Sequence, residues 1–483
     1  MSISSSLSNA LSGLTAAARA AEVVSANVAN ATTEGYGRRV LESSAAALGD
    51  QGAGVRVDGV RREIDTKVLA DRRLADASAA NAEQYVDFFS SLEVAIGTPD
   101  SANSLSGSIA ALDSALIEAA SRPDSDARLA NVLTAANGVV DQFANISDEI
   151  QTLRAEAEQG INAQVRTLNT RLEQIADLNH QIRLQDGSGN DTAALMDQRQ
   201  VLVDDLAEIV PVRVVQRDHG EIAIYTETGA TLLEGKPAEF GFTPASTIVP
   251  EMKIESGALS GLTLNGQPIS VAGPYSPIAG GSLQALFDQR DVLAVDAQAD
   301  LDALARDLIE RFEGVDPTTA SGAPGLFTDA GGSFDPAQEV GLSSRLSINA
   351  LVDPDQGGAV WHLRAGLGAT DPGAVGDSTL LNAFSDALNE NRIASSGTYT
   401  GAARSAAGLS AEFLSTVSTE RLNAEANQSF AQAKAETLRE AERAGGVDTD
   451  HEMQSLLLIE QSYSANARVI QTIDEMIDTL LRI

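Results

Sequence analysis

Two short segments of this chain contain residue types that enzymes and nucleotide-binding proteins use, at nearly the right spacing. His451 and Glu452 begin the zinc-protease pattern, in which a second histidine four positions after the first completes a pair of metal ligands on one helix face. Position 455 is Ser, so that ligand is missing. Gly229–Lys236 is similar to a phosphate-binding loop, but its glycines are one residue too far apart, and Pro237 stands where Ser or Thr would hold magnesium. Neither segment predicts a site.

Calcium, thiol and histidine chemistry have no better support. Asp353-Pro354-Asp355 begins like a calcium-binding loop, yet the twelfth position is Arg364 instead of the bidentate Glu. The chain has no cysteine, which excludes disulfides, thiol nucleophiles and zinc–thiolate sites. We therefore assign no catalytic, cofactor-binding or metal-binding residue, and we predict a protein that is not an enzyme and has no cofactor. The four histidines are scattered over predicted helix, turn, strand and helix start: His180, His219, His362 and His451.

The composition limits the kinds of partner. The 483 residues include 33 Lys and Arg against 68 Asp and Glu, a formal net charge of −35. Proteins that bind nucleic acid or dock on anionic membranes depend on cationic side chains, so the charge argues against both classes. Hydrophobic residues make up 43% of the chain, which is enough for substantial cores. Aromatic residues are only 4%, and the abundant alanine favours closely packed helices.

Signals for a membrane or for the general secretory route are absent from the sequence. The longest aliphatic run near either end, Leu456-Leu457-Leu458-Ile459, is far shorter than the ~18 residues of a membrane span. The N-terminus has no basic region followed by an apolar one, so we expect no cleaved signal peptide. Residues 1–18 carry no charged side chain, which fits either a flexible tail or an uncleaved export address.

Helical periodicity is strongest at the two ends of the chain. Each end has two apolar rows that repeat every seven residues and are offset by steps of four and three, the pattern of a coiled-coil seam. The C-terminal rows run almost to Ile483. The N-terminal rows are Ile3, Ala10, Ala17, Val24 and Leu7, Leu14, Ala21, Val28; the C-terminal rows are Leu456, Tyr463, Ile470, Ile477 and Ile459, Asn466, Ile473, Leu480.

The charges of the two ends are complementary. Residues 1–40 hold three Arg and two acidic residues, and residues 447–483 hold two Arg and seven acidic residues, which gives +1 and −5. Two amphipathic helices packed on an ordinary domain would need no such match. We predict that the terminal helices pair as a coiled coil that becomes ordered within a larger assembly, because a single pair buries little surface. The expected assembly and chaperone-binding faces consist of Leu7, Leu14, Val24, Val28, Leu456, Ile459, Tyr463, Ile470, Ile473, Ile477 and Leu480.

The middle of the chain has the pattern of a helical rod. Residues 63–97 are predicted to form a helix that ends at Gly97-Thr98-Pro99. Apolar residues spaced by threes and fours predict a long rod helix that includes Phe143 to Ile182. Further helices are predicted at about 192–209, 281–314, 378–392 and 409–444.

At Pro211 the apolar period changes from 3.6 to 2. Strands are predicted on either side of a turn at Asp218-His219-Gly220, and Asn265-Gly266 marks a second hairpin. Residues 315–375 are rich in Gly, Pro and Asp, and we expect loop with a few strands, including one around Val360–Leu363 with Trp361 in its core.

These patterns predict a mainly α fold with an inserted β domain, an α+β multidomain protein. Residues 1–45 and 447–483 are expected to form a terminal polymerisation domain. A helical rod domain comprises 46–210, 283–314 and 376–446, and a β-rich outer domain comprises 211–282 with 315–375.

Four segments together resemble the family of flagellar hook-associated protein 1, the first hook–filament junction protein. Ser25–Asn30 with Thr33-Glu34-Gly35-Tyr36 is similar to the N-terminal signature of rod, hook and junction proteins, with Glu34 where Pro is usual. Gly52–Val57, leading to Val60 and Arg62, resembles the strand that follows. Leu195–Arg199, followed by Leu202, Leu206, Ile209 and Val210, resembles the family's passage from helical to β domain. Glu460–Arg468 resembles part of its C-terminal helix.

The resemblance implies a structural axial protein of the bacterial flagellum that joins hook to filament and allows the filament to assemble. It implies a ring-like homo-oligomer between the hook protein and the second junction protein. It also implies an extracellular location, export without a cleaved signal through the flagellar type III apparatus, and a cytosolic chaperone on the C-terminal helix. Exposed seams would self-associate in the cytosol unless they were covered, which fits such a chaperone. Neither a nucleic acid nor a membrane span is expected.

Two other interpretations stay open from the sequence. The first is another flagellar axial protein, such as a hook, rod or second junction protein. The second is a secreted adhesin or enzyme whose active module is 211–375, which would need an organised polar pocket there.

Overall fold

The computed structural model describes residues 3–48, 51–99, 101 and 104–482. Ile483, towards which the predicted C-terminal rows run, lies outside the described residues. The described chain is mainly helical and has four small antiparallel sheets, which confirms the predicted fold class.

The chain begins with a helix and a long hairpin, α1 (Ile3–Ala29), β1 (Arg38–Leu48) and β2 (Gln51–Glu63). Sequence analysis anticipated the second strand but not the first. Four helices follow: α2 (Thr66–Ile96), α3 (Leu105–Ser121), α4 (Asp126–Gly187) and α5 (Ala193–Ile209). The predicted helices at 63–97 and 192–209 are confirmed, and the rod helix begins well before Phe143.

A β module of two small sheets follows α5. Its first sheet has the strand order β3 (Val212–Gln216), β4 (Ile222–Thr226), β5 (Thr231–Glu234) and β6 (Lys236–Pro237). Its second sheet contains β7 (Phe240–Gly241), β8 (Leu262–Leu264) and β9 (Gln267–Ile269). Both predicted turns are present. Asn265 and Gly266 have φ angles of 51° and 76°, as a two-residue hairpin turn of this type requires.

The return path is helical. Helix α6 (Ser282–Asp288) continues through a π-helical turn at Gln289–Leu293 into α7 (Ala294–Phe312). Short elements follow: β10 (Phe327–Asp329), α8 (Leu342–Arg345), β11 (Leu346–Ile348) and α9 (His362–Ala365). The chain ends with α10 (Thr379–Asn389), α11 (Ala406–Ala444) and α12 (Thr449–Leu481).

Helix α4, with 62 residues, passes through two hydrophobic cores. Up to Leu153 its apolar side chains pack with α2, α3, α7, α10 and α11 in what we call the rod core. From Ala157 onwards they pack with α5, α6 and the strands β3, β4, β5, β7, β8 and β9 in the β-module core. Neither core contains a residue of α1 or α12. One continuous helix therefore positions the β module on the rod.

Residues 315–375 lie in the rod core instead of beside the β module. Their buried members, including Phe327, Leu346 and Leu363, pack with helices α4, α7 and α10. Strands β10 and β11 pair with each other and form a sheet separate from those of the β module. Composition alone could not distinguish the two locations, because loops rich in Gly, Pro and Asp cover either kind of core.

The predicted strand around Val360–Leu363 is wrong. The segment forms a turn that leads into the short helix α9, and Trp361 is half-buried with its ring stacked on that of His362. Apolar runs of four residues do not distinguish strand from helix by periodicity. Among the described residues, no helix combines the length and the apolar character that a bilayer span requires.

Candidate functional site

The terminal helices α1 and α12 pack against each other as an antiparallel pair. Gly13 in the first half of α1 faces Asn466 in the middle of α12, and a Cβ atom at Gly13 would lie only 2.8 Å from the Asn466 amide nitrogen. The glycine at position 13 therefore allows α1 to approach the Asn466 side chain closely. At the other end of the pair, Arg38 at the start of β1 contacts Glu452 in the first turn of α12.

The predicted assembly residues divide into a covered and an exposed set. Val24 and Ile473 are buried, whereas Leu14, Val28, Leu456, Ile459 and Ile470 are half-buried. Leu7, Tyr463, Ile477 and Leu480 are exposed, Leu480 by 60%. Pairing within one chain thus covers only part of the apolar rows.

The hairpin formed by β1 and β2 lies along another side of α1. The backbone N–H of Val55 donates to the hydroxyl of Ser12 over 3.1 Å. Gly54 has a φ of 93°, and a Cβ atom there would overlap the same hydroxyl. Glycine is therefore needed at this position both for its backbone angle and for the close approach.

A buried amide fixes the chain as it leaves α1. Asn27 is fully buried, and its Oδ1 accepts hydrogen bonds from the Tyr36 hydroxyl and from the Arg39 N–H, both at 2.9 Å. Its Nδ2 donates to the Arg39 carbonyl. Burial raises the pKa of the Tyr36 phenol, so this hydroxyl stays protonated and able to donate. Residues of the N-terminal signature therefore hold the turn between α1 and β1.

Asp197 in α5 ties that turn and the hairpin to the rod. Its carboxylate accepts from the Gly37 N–H at 3.0 Å, from Arg39 Nη2 at 3.1 Å and from Arg62 Nε at 2.6 Å. Two residues further along the same helix, Arg199 donates to the Asn179 side chain and to the Gly220 carbonyl in the β module. Burial, together with nearby Arg62 and Arg73, lowers the pKa of Arg199 to about 10.

The helices α2 and α11 join this arrangement through a cluster of ion pairs. Arg72 contacts Asp76, Asp204 and Glu442, and Arg73 shares Asp204. Arg439 in α11 contacts the far oxygen of Asp76. Burial lowers the pKa of Arg73, and the carboxylate of Asp204 opposes that effect.

Glu452 connects α12 to the same region. Its carboxylate is 1% exposed and accepts from Arg38 Nε at 2.8 Å, while Arg38 also contacts Glu63 at the hairpin base. We call this whole set the polar junction. Its members are Asn27, Tyr36, Arg38, Arg39, Arg62, Arg72, Arg73, Asp76, Asp197, Asp204, Arg439, Glu442 and Glu452.

Several residues of the polar junction belong to the sequence motifs described above, but the sequence predicted no role for any of them. In the described parts of the chain, no three His, Asp or Glu side chains are arranged to hold a metal ion. The geometry of the polar junction is that of a structural connection between the terminal pair, the hairpin and the rod.

Asp197→Asn should loosen this connection. The substitution removes the charge that Arg39 and Arg62 share, and hydrogen bonds to charged groups contribute about 1.5–3 kcal/mol each. We expect a protease to cut within residues 30–63 several times faster than in the unchanged protein, as followed by gel electrophoresis and mass spectrometry. Asp177→Asn, at an exposed position of α4, is the matched control. Equal cleavage rates for the two variants would contradict the role given to Asp197.

Comparison with known proteins gives consistent similarities along the chain. Residues 89–325 match the model described as flagellar hook-associated protein FlgK helical domain. Residues 443–483 match that of the flagellar basal body rod FlgEFG protein C-terminal, and residues 7–36 match that of the flagella basal body rod protein.

Individual proteins show the same likeness. Flagellar hook-associated protein 1 of Escherichia coli is 26% identical over 554 aligned positions that span 100% of both chains. That of Bacillus subtilis is 23% identical over 98% of this chain and 97% of its own. That of Salmonella typhimurium is 30% identical over 54% of this chain and 51% of its own. The solved structure of the hook junction protein FlgK from Burkholderia pseudomallei aligns with 54% of this chain and 46% of that chain, at 19% identity and a TM-score of 0.45.

Proposed function

We infer that the chain belongs to the family of flagellar hook-associated protein 1, and on this basis we propose its function. It is a structural axial protein of the bacterial flagellum that forms the junction between hook and filament and allows the filament to assemble. Similarity over essentially the whole length of the relatives from E. coli and B. subtilis supports this assignment. The separate matches of both ends to flagellar rod models agree with it.

The observation that carries the proposal is the incomplete burial of the terminal helices. Helices α1 and α12 pair outside both cores, and large apolar side chains such as Leu11, Leu458 and Leu480 are 58–66% exposed. Apolar surface of this extent on two adjacent helices is typical of interaction sites. Copies of the same chain would bury it in a ring-like layer, in which every subunit offers the same two helices.

We propose that each structural domain of the chain has its own role in the assembly. Residues 1–45 and 447–483 form the polymerisation domain, with the predicted assembly faces, Leu7 to Val28 and Leu456 to Leu480, as its contact surfaces. Residues 46–210, 283–314 and 376–446 form the rod domain, and 211–282 form the outer β-rich domain. The packing of 315–375 into the rod core supports assigning this segment to the rod domain.

In this role the ring contacts the hook protein on one side and the second junction protein on the other. Before assembly the C-terminal helix is covered by a cytosolic chaperone. Support comes from α12 itself, in which only Glu452 and Ile473 are buried among the described residues. The chain leaves the cell unfolded through the flagellar type III export apparatus without a cleaved signal. The absence of cysteine fits such a route, because no disulfide would have to be broken.

The direct test is deletion and complementation in the bacterium that encodes this chain. Cells without it should build hooks, fail to retain filaments and release flagellin monomers into the medium. Expression of the full chain should restore filaments and swimming, as seen by electron microscopy and in soft agar. Complete filaments on the deleted cells would exclude the junction role and would favour another axial protein.

A further inference from the structure

A segment without helix or strand contacts α4 at the boundary between the rod core and the β-module core. It consists of residues 243–260, between β7 and β8, and we call it the strap. The two ends of the strap are bonded to each other. The Ser260 hydroxyl accepts from the Thr243 N–H at 3.3 Å and donates to the Thr243 carbonyl at 2.6 Å. A loop closed at its own ends is able to move as a unit without disturbing the strands that flank it.

The strap is held mainly by polar contacts. Of its hydrophobic side chains only Ile248 and Leu259 are buried. Its Ala245 N–H donates at 2.7 Å to Glu158, which is itself paired with Arg290. Water solvates charged groups well once they are uncovered, so lifting the strap costs less than opening an apolar core. Few buried apolar contacts are also typical of segments that open locally while the rest of a protein stays folded.

Arg154 of α4 holds the strap from beneath and is 1% exposed. Its Nη1 donates to the Val249 carbonyl at 3.1 Å, and its Nη2 donates to the Met252 carbonyl at 2.7 Å. Its Nε donates at 3.0 Å to the carbonyl of Arg290, which lies between α6 and α7. The guanidinium is planar and presents its donors in a fixed fork, so one rigid group makes both sets of contacts. Arg154 therefore connects the strap to the turn that contains Arg290.

That turn is the π-helical one at Gln289–Leu293. In an α-helix the Ala294 N–H would donate to the Arg290 carbonyl, four residues back, but here it donates to Gln289, five residues back. The carbonyl that Arg154 holds is thus the one that Ala294 does not use. The turn separates α6, which packs in the β-module core, from α7, which packs in the rod core. Single π-helical turns inside α-helices occur frequently at functional sites.

We propose that the strap and the π-helical turn form one conformational device that Arg154 holds closed. Lifting the strap removes the Val249 and Met252 carbonyls from the guanidinium, and the Arg290 carbonyl then loses its contact with Arg154. The turn returns to α-helical hydrogen bonding, which changes the angle between the β module and the rod while both cores stay folded. The device concerns the β module alone and does not depend on the junction role.

Hydrogen exchange of the purified full-length chain, followed by mass spectrometry, tests the coupling from the side of the strap. Ile248→Ser removes one of the two buried apolar side chains of the strap and leaves Arg154 in place. We expect exchange to become about tenfold faster both in residues 243–260 and in residues 289–296. The matched control is Glu255→Ser, at an exposed position of the strap, which should change neither. Faster exchange in the strap with unchanged exchange in 289–296 would overturn the coupling.

A distance measurement tests the change of angle. Because the natural chain has no cysteine, spin labels can be attached at Ala111→Cys in the rod and Glu227→Cys in the β module, both exposed. Arg154→Lys keeps the charge and loses the fork, so the distribution of distances in pulsed electron resonance should shift or broaden. Glu156→Gln, at an exposed position of α4, should leave it unchanged. An unchanged distribution in Arg154→Lys, with exchange accelerated in 243–260, would overturn the effect on the β module.

Discussion

Glu158→Ala is expected to lower the free energy of unfolding by about 3–5 kcal/mol, the usual cost of removing one partner from a buried ion pair. Arg290, the partner, is 0% exposed, and Glu158 is 1% exposed. Arg290 would retain Asp291 at 2.8 Å and the Ser260 carbonyl at 3.1 Å. In the variant, the Arg290 guanidinium would therefore have one carboxylate partner instead of two, and it is too deeply buried for water to replace the missing one.

The loss of stability should be greatest where the β module meets the rod. Glu158 Oε1 also accepts from the Ala245 N–H at 2.7 Å, and the neighbouring Arg154 donates to the carbonyls of Val249 and Met252. These contacts fix the long segment between β7 and β8 against α4. Urea unfolding followed by circular dichroism gives the change in free energy. Glu156→Ala, at an exposed position two residues earlier, is the control and should change it by less than about 0.5 kcal/mol.

A second large effect is expected from Ile470→Asp, which places a charge on the half-buried row of α12 that faces α1. Burial of an unpaired charge costs several kcal/mol, so the seam should open or pack badly. Neither core contains a residue of α12, and distant sites contribute independently to stability, so thermal unfolding of the cores should not change. On the proposed function, cells with this variant should stop at the hook, shed flagellin, and show weakened binding of the export chaperone.

The control for charge alone is Gln471→Asp, which adds the same carboxylate on the exposed face of α12. It should preserve filaments and chaperone binding. Full-length filaments with Ile470→Asp would show that this row is not used in assembly. A lower melting temperature of the cores would show that α12 is an ordinary part of the folded domains.

Periodicity in the sequence was sufficient for most of the long helices and for the two hairpin turns of the β module, but it missed α3 and gave a strand where α9 begins. A seven-residue repeat such as Leu456 to Ile477 has one simple physical solution, a helix with an apolar stripe. Asn265-Gly266 likewise has one, a turn with two positive φ angles. In each case the signal is local, so no knowledge of the distant chain was needed.

The long-range contacts of the candidate site gave no such signal. Asp197 and Arg62 are 135 positions apart, and Arg38 and Glu452 are 414 apart. Among 68 acidic residues, nothing in composition or spacing marks these carboxylates as the buried ones. The first hairpin strand was missed for a related reason: Ser43, Ser44, Ala45 and Ala47 have little β preference, and pairing with β2 and α1 overrides it.

Helix α4 is one continuous helix that makes the connection between the rod and the β module rigid. At 1.5 Å per residue its 62 residues extend about 93 Å, and no linker separates Leu153 in one core from Ala157 in the other. A torque applied to the β module is therefore carried along one uninterrupted ladder of backbone hydrogen bonds into the rod, with no flexible segment to absorb it. We expect bending to occur instead at Gly445 and Gly446, which connect α11 to α12. The terminal helices would then change their angle to the rod while the rod and the β module rotate as one body.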